Sequence, residues 1–167
     1  MKMTCLRAGA IRLCLAMMLA LLVIPGYIVA PVLFAGAGSQ ALAGELAGRI
    51  FHLSLVTLLF LAAAVASFWW RMQSDGQIIG RRSWILLAAL CLLVAINVFG
   101  LAPLMADIKQ QMGPIDLIPK DNPLRQKFGM WHGISAVLHL LASIVAAMLV
   151  ATSPIGNDSK KGTCPSL

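Results

Sequence analysis

With 167 residues, 60% of them hydrophobic and 11% charged, and a mean hydropathy of +0.88, this chain is not a soluble domain and has room for one compact unit. Its formal net charge of +7 comes without any nucleic-acid motif, so the basicity reads as membrane topology and contact with anionic lipid. Four apolar stretches, 13–34, 50–70, 84–105 and 128–151, each reach the about 20 residues that cross a bilayer. In hydrocarbon a span must close its own backbone hydrogen bonds, which helices do. The predicted fold is an all-α membrane protein, a four-transmembrane-helix bundle over 13–151.

Residues 1–12 form a short basic N-terminal segment with Lys2, Arg7 and Arg12. The start resembles a signal peptide, and "ALAG" at 41–44 has the look of a cleavage site. The apolar run continues through "PGYIVAPVLF", past the about 7–15 residues of a signal core, so a retained first helix is expected. Within it stand Pro25, Gly26 and Pro31. Proline removes a backbone donor and kinks a helix, giving either a packing bend or a segment that lines a cavity.

The following loop alternates alanine and glycine. Glu45 and Arg49 have the i,i+4 order of a helix-surface ion pair, so the second helix should start before Arg49. Gly44 and Gly48 form a small-xxx-small pair suited to close helix approach. Trp69, Trp70, Trp84 and Trp131 fall near span ends, as interfacial aromatics do. A short polar turn with Arg71, Arg81 and Arg82 joins spans two and three. The longer connection 106–127, rich in proline, is expected to lie over the face as an ordered cap. Residues 152–167 read as a disordered tail.

Charge sets the orientation. Lys2, Arg7, Arg12, Arg71, Arg81, Arg82, Lys160 and Lys161 give one side eight positive side chains. Arg49, Lys109, Lys120, Arg125 and Lys127 give the other five, so the positive-inside rule places both termini in the cytoplasm. The expected location is a bacterial-type inner membrane. Cys14 and Cys91 lie in spans as small apolar residues. Cys5 and Cys164 lie in tails on the reducing side, so no disulfide framework is expected, and the terminal "CPSL" reads as a chance match to a prenylation box.

Spans two and four run in the same direction and put His52 and His132 at similar depth near the outer ends. If those helices are neighbours, the two rings flank a common ligand. With Arg49 and Arg125 they make a candidate outer polar cluster for an anionic headgroup or a substrate carboxylate. His139 lies seven residues beyond His132, about 10 Å deeper, and is expected to bond between helices. Ser135 and Ser143 continue its stripe. Asn97 in span three needs a partner, and His139 or a serine of span four would serve. Gly129 and Gly133 are a second small-xxx-small pair. His52 and His132 are also the candidate ligands for haem or a transition metal, although no further ligand completes a metal set. There is no Ser-His-Asp arrangement, no phosphate loop and no intramembrane carboxylate. A binding component therefore fits better than an enzyme.

The ordered segments "GYIVAPVLF", "LAGELAGRIF", "NVFGLAPLM" and "LRQKFGMWHGIS" resemble the domain-of-unknown-function 4149 family, also described as transmembrane protein 205-like. The resemblance covers about residues 13–150. The family's Ala-Pro-x-x-Phe segment is matched by Ala30, Pro31 and Phe34, and its entrance to helix two by Ala47, Gly48 and Phe51. Its Phe-x-x-x-His-Gly-x-Ser segment is matched by Phe128, His132, Gly133 and Ser135. The resemblance implies a class of membrane protein with no activity attached. A looser likeness to copper-resistance D-type and haem-associated small membrane proteins accompanies it. Three readings follow. One is a small-molecule, lipid or ion binding or transport component, acting as a homo-oligomer or with other membrane subunits. The second is a haem- or metal-binding redox protein using His52 and His132. The third is a structural or assembly subunit.

Overall fold

The computed structural model describes the backbone over residues 2–152 and the side chains from Leu6 onward. The predicted tail beyond Thr152, with Cys164, lies outside those limits, as does the side chain of Cys5. Four helices long and apolar enough to cross a membrane make up the described chain. Helix α1 is α-helical over Lys2–Val23, widens into a π-helical turn over Ile24–Val29, and is α-helical again over Ala30–Gly36. Helix α2 runs Gln40–Ser74 without a break. Helix α3 repeats the plan of α1, with Arg81–Ala95, a π-helical turn Ile96–Leu101, and Ala102–Met112. A single 3-10 turn, Ile115–Leu117, precedes α4, Pro123–Ala151.

These helices outrun the apolar stretches because polar ends are capped, not cut off. Ser39 accepts from Leu42 N–H at the start of α2. Asn122 does the same for Leu124 N–H at the start of α4, where Pro123 occupies the first turn that needs no donor. The residues read as a separate N-terminal segment are therefore the first turns of α1.

The two π-turns share a cause. Pro31 and Pro103 each follow an alanine, and a proline ring clashes with the carbonyl four residues earlier while offering no N–H. In both helices the preceding alanine bonds one residue further back than in an α-helix: Ala30 N–H to the Pro25 carbonyl and Ala102 N–H to that of Asn97. The widened turn takes up the misfit within a helix that continues.

The core positions recur at alternating intervals of three and four. On α1 they are Ile11, Leu15, Met18 and Leu22; on α2, Leu55, Leu58, Ala62, Val65, Trp69 and Met72. Leu87, Leu90, Val94 and Val98 of α3 and Ala142, Ala146 and Leu149 of α4 close the cluster. That spacing suits antiparallel helices crossing at about +20°. Inside lipid the partner surface is as apolar as the alternative, so close packing and hydrogen bonds, not removal from water, hold the helices together.

Adjacent helices pack around the bundle as α1 on α2, α2 on α3, α3 on α4 and α4 on α1. Consequently α2 and α4 stand at opposite corners. The start of α1, the end of α4 and the α2–α3 turn share one face, here the terminal face, where Arg7 and Asp75 form an ion pair between α1 and the end of α2. The opposite, distal face carries the other two connections. Over Lys2–Val23, α1 packs on both α2 and α4, but past the π-turn Ala30–Gly36 packs on α2 without extended contact with α4. Past the π-turn the distal end of α1 therefore leans on α2, and its contact with α4 lies mainly below that turn.

Candidate functional site

His139 of α4 stands where α1 and α4 part. Its imidazole is buried, with Nε2 3.0 Å from the Leu22 carbonyl of α1. A carbonyl only accepts, so Nε2 carries the proton and donates. Gly26 makes room for the ring: a Cβ built there would lie 2.6 Å from Nε2. Phe51 of α2 stands T-shaped to the ring at 5.1 Å between ring centres, and Tyr27 lies tilted at 6.2 Å. The Tyr27 hydroxyl is 3.5 Å from Ser143 Oγ, which itself donates to the His139 carbonyl at 2.9 Å. Tyr27 remains 48% exposed, so this polar group is reached from the side of the bundle.

One turn away on α4, Ser135 joins α3. Its Oγ donates to Asn97 Oδ1 at 2.7 Å, and Asn97 Nδ2 donates back to the Ser135 carbonyl at 3.2 Å. Both polar ends of the amide are thereby satisfied in the membrane interior. Asn97 thus has its expected serine partner, and it sits within the π-turn of α3. Helix α4 carries Ser135 to the π-turn of α3 and His139 to the π-turn of α1, four residues apart and so on one face.

The outer cluster expected of Arg49, His52, Arg125 and His132 is not assembled: no hydrogen bond, ion pair or ring contact joins any two of them among the described residues. Arg49 is paired with Glu45 at 2.6 Å along α2. Arg125 donates to the carbonyls of Ile115, at 3.2 Å, and Ile118. His52 and His132 are both exposed, on helices at opposite corners, and His132 stacks on Phe128 of its own helix at 5.9 Å. Parallel direction and equal depth did not make α2 and α4 neighbours, because a sequential up-down bundle puts them on a diagonal.

The small-residue pairs also behave differently from expectation. A Cβ at Gly48, Gly129 or Gly133 would meet nothing within 4 Å, and one at Gly44 would touch only Phe34, at 3.9 Å. The close approach belongs to Gly26, which the sequence marks only as part of a Pro-Gly pair inside an apolar run.

The cap expected over 106–127 is shorter in the structure, because α3 continues to Met112 and α4 begins at Pro123, which leaves 113–122 as the connection. Asp116 accepts from Ser39 Oγ at 2.6 Å, Gln40 N–H at 3.1 Å and Ala41 N–H at 3.2 Å, which ties the cap to the first turn of α2. These donors, the Ser39 hydroxyl foremost, then the Ala41 amide, hold the carboxyl below the usual carboxylate range, and the Arg125 charge adds to them. Arg125 fixes the same turn from α4. The strap thus bridges the two helical hairpins at the distal face.

Among the described residues no three of His, Cys, Asp and Glu come together as a metal site, and Cys14 and Cys91 are unpaired. No curated protein and no solved structure matches the chain. The family described as a domain of unknown function, DUF4149, matches residues 13–114, about three-fifths of the chain. The match takes in both π-turns, Gly26 and Asn97, and ends before α4 with His132 and His139. By that match this four-helix membrane protein belongs to the DUF4149 family.

Proposed function

We propose that the protein is a binding or transport component for a small membrane-soluble molecule, lipid or ion, received from the bilayer between the distal halves of α1 and α4. The observation that carries this reading is His139. An ionisable ring inside a membrane span is costly to keep, and such residues mark ligand or ion pathways. Here it lies where α1 and α4 part, beside a half-exposed Tyr27 hydroxyl and Ser143. Its fixed Nε2 proton leaves Nδ1 as the acceptor of a neutral ring, and Tyr27 supplies a donor. The pair suits a ligand with one polar group on an apolar body. The charge distribution supports a bacterial-type inner membrane with both termini in the cytoplasm. The open faces at Gly129 and Gly133 suit a second copy of the chain or another membrane subunit.

The test is untargeted mass spectrometry of molecules that copurify with the full chain, comparing wild type with His139→Asn and Tyr27→Phe prepared from the same membranes. A species enriched on wild type and lost from both variants, with circular dichroism unchanged, supports the reading. Identical extracts from all three proteins overturn it. An absorption spectrum taken alongside decides the redox alternative: a Soret band lost in His52→Ala or His132→Ala would replace this proposal.

A further inference from the structure

A second site lies at the terminal end of the α2–α3 pair, away from His139 and independent of the proposal above. There the two helices leave an open cavity of about 400 Å³, lined by Ala66, Ser67, Trp70, Arg71 and Trp84. Its chemistry changes with depth. Ala66 and Ser67 lie towards the membrane interior, and the Ser67 hydroxyl is turned onto the Ala63 carbonyl of its own helix at 2.8 Å, leaving an apolar surface. Trp70 and Trp84 flank the middle, and Trp84 is braced by the wholly buried Trp69 edge-to-face at 5.4 Å. Arg71 stands in the last turn of α2 at the mouth.

Charge at this mouth is unbalanced. Arg71, and Arg81 and Arg82 across the short turn at the start of α3, make no hydrogen bond or ion pair among the described residues. The carboxylate closest in sequence, Asp75, is held by Arg7 of α1. Ile78 on the same turn is 92% exposed and Trp70 is 71% exposed, as suits side chains lying at headgroup level. A guanidinium offers a fork of donors to phosphate oxygens. Basic pockets between spans are where anionic headgroups bind.

We infer that this cavity binds an anionic phospholipid. Its phosphate accepts from Arg71, with Arg81 and Arg82 adding charge. Its glycerol and first acyl carbons lie between Trp70 and Trp84 on Ala66 and Ser67.

The experiment is native mass spectrometry of the full chain released from vesicles of equal parts phosphatidylglycerol and phosphatidylcholine. Wild type should retain phosphatidylglycerol in preference, and Arg71→Gln should lower that retention about fivefold, the effect of one arginine near a charged surface. Arg71→Lys should keep most of it, Arg81→Gln with Arg82→Gln should weaken it further, and Arg49→Gln on the distal face should leave it unchanged. Equal retention of the two lipids, or Arg71→Gln behaving as wild type, overturns the inference. So does full displacement of phosphatidylglycerol by millimolar inorganic phosphate, because the site would then take the free ion. These readouts do not involve His139, so this site and the central one fail or stand separately.

Discussion

Gly26→Ala is the substitution that most directly tests the architecture of the central site. The added methyl would lie 2.6 Å from His139 Nε2 and 3.0 Å from Cδ2, well inside van der Waals contact. The ring has nowhere to go without loss, because Nε2 is bonded to the Leu22 carbonyl and Phe51 stands T-shaped against it. Overpacking of a filled core costs about 1–3 kcal/mol. An interhelical hydrogen bond lost in a membrane adds about 0.6 kcal/mol and at most about 1.7. Alanine in place of glycine within a helix returns about 1 kcal/mol. The net expectation is a destabilisation of roughly 1–4 kcal/mol. Gly100 provides the control, since it sits in the matching π-turn of α3 and a Cβ there meets nothing within 4 Å; Gly100→Ala should be neutral or stabilising. The assay is unfolding of the full chain in mixed micelles by titration with a denaturing detergent, followed by tryptophan fluorescence. In a His139→Ala background, Gly26→Ala should lose its cost. Equal effects of the two glycine substitutions, or the same cost of Gly26→Ala with and without the imidazole, would refute the reasoning.

Three further outcomes are expected. In a double-mutant cycle of Asn97→Ala and Ser135→Ala, the same unfolding assay should show a coupling of about 1 kcal/mol; strict additivity would mean that the bond from Ser135 Oγ to Asn97 Oδ1 contributes nothing. The Asp116 carboxyl has its pKa lowered in the folded protein, so its tether is fully present above the ordinary carboxylate range and is lost as pH falls through the depressed value. Hydrogen exchange at the Gln40 and Ala41 amides, corrected for intrinsic rates, should rise only in that acid window, and Asp116→Asn should show the faster exchange already at neutral pH. Arg125→Ala should expose the strap around 115–118 to proteolysis while the bundle keeps its unfolding midpoint. Arg125→Lys should protect it only partly, because one ammonium reaches two carbonyls less well than a guanidinium.

The spans, the early start of α2, the Glu45–Arg49 pair and the ordered distal strap were legible because each rests on a local pattern: apolar length, capping chemistry, i,i+4 spacing and proline content. The serine partner of Asn97 and the interhelical role of His139 were legible for a different reason. A polar side chain inside a span must find a partner, and few candidates were present at that depth. The acceptors themselves were hidden, since Leu22, Ile115 and Ile118 serve through main-chain carbonyls that no residue type announces. The diagonal placement of α2 and α4 was hidden too, because hydropathy gives direction and depth but not which helix stands beside which. The same gap in information made Gly44, Gly48, Gly129 and Gly133 look like contacts within the bundle. Gly26, the real close approach, could be found only by asking which glycine lies level with a buried ring.

The paired π-turns have a mechanical consequence. Asn97 meets α4 one turn from where Gly26 meets it, so two of the four helices are widened at nearly the same level of the bundle. Widened turns are where helices bend most readily. Below that level the molecule is a clamped block with a continuous core and the Arg7–Asp75 tie. Above it the two helical hairpins are tied at their far tips by Asp116 and Arg125. Bending at the two turns would therefore tilt the distal halves of α1 and α3 together, because the strap keeps the tips of the two hairpins joined.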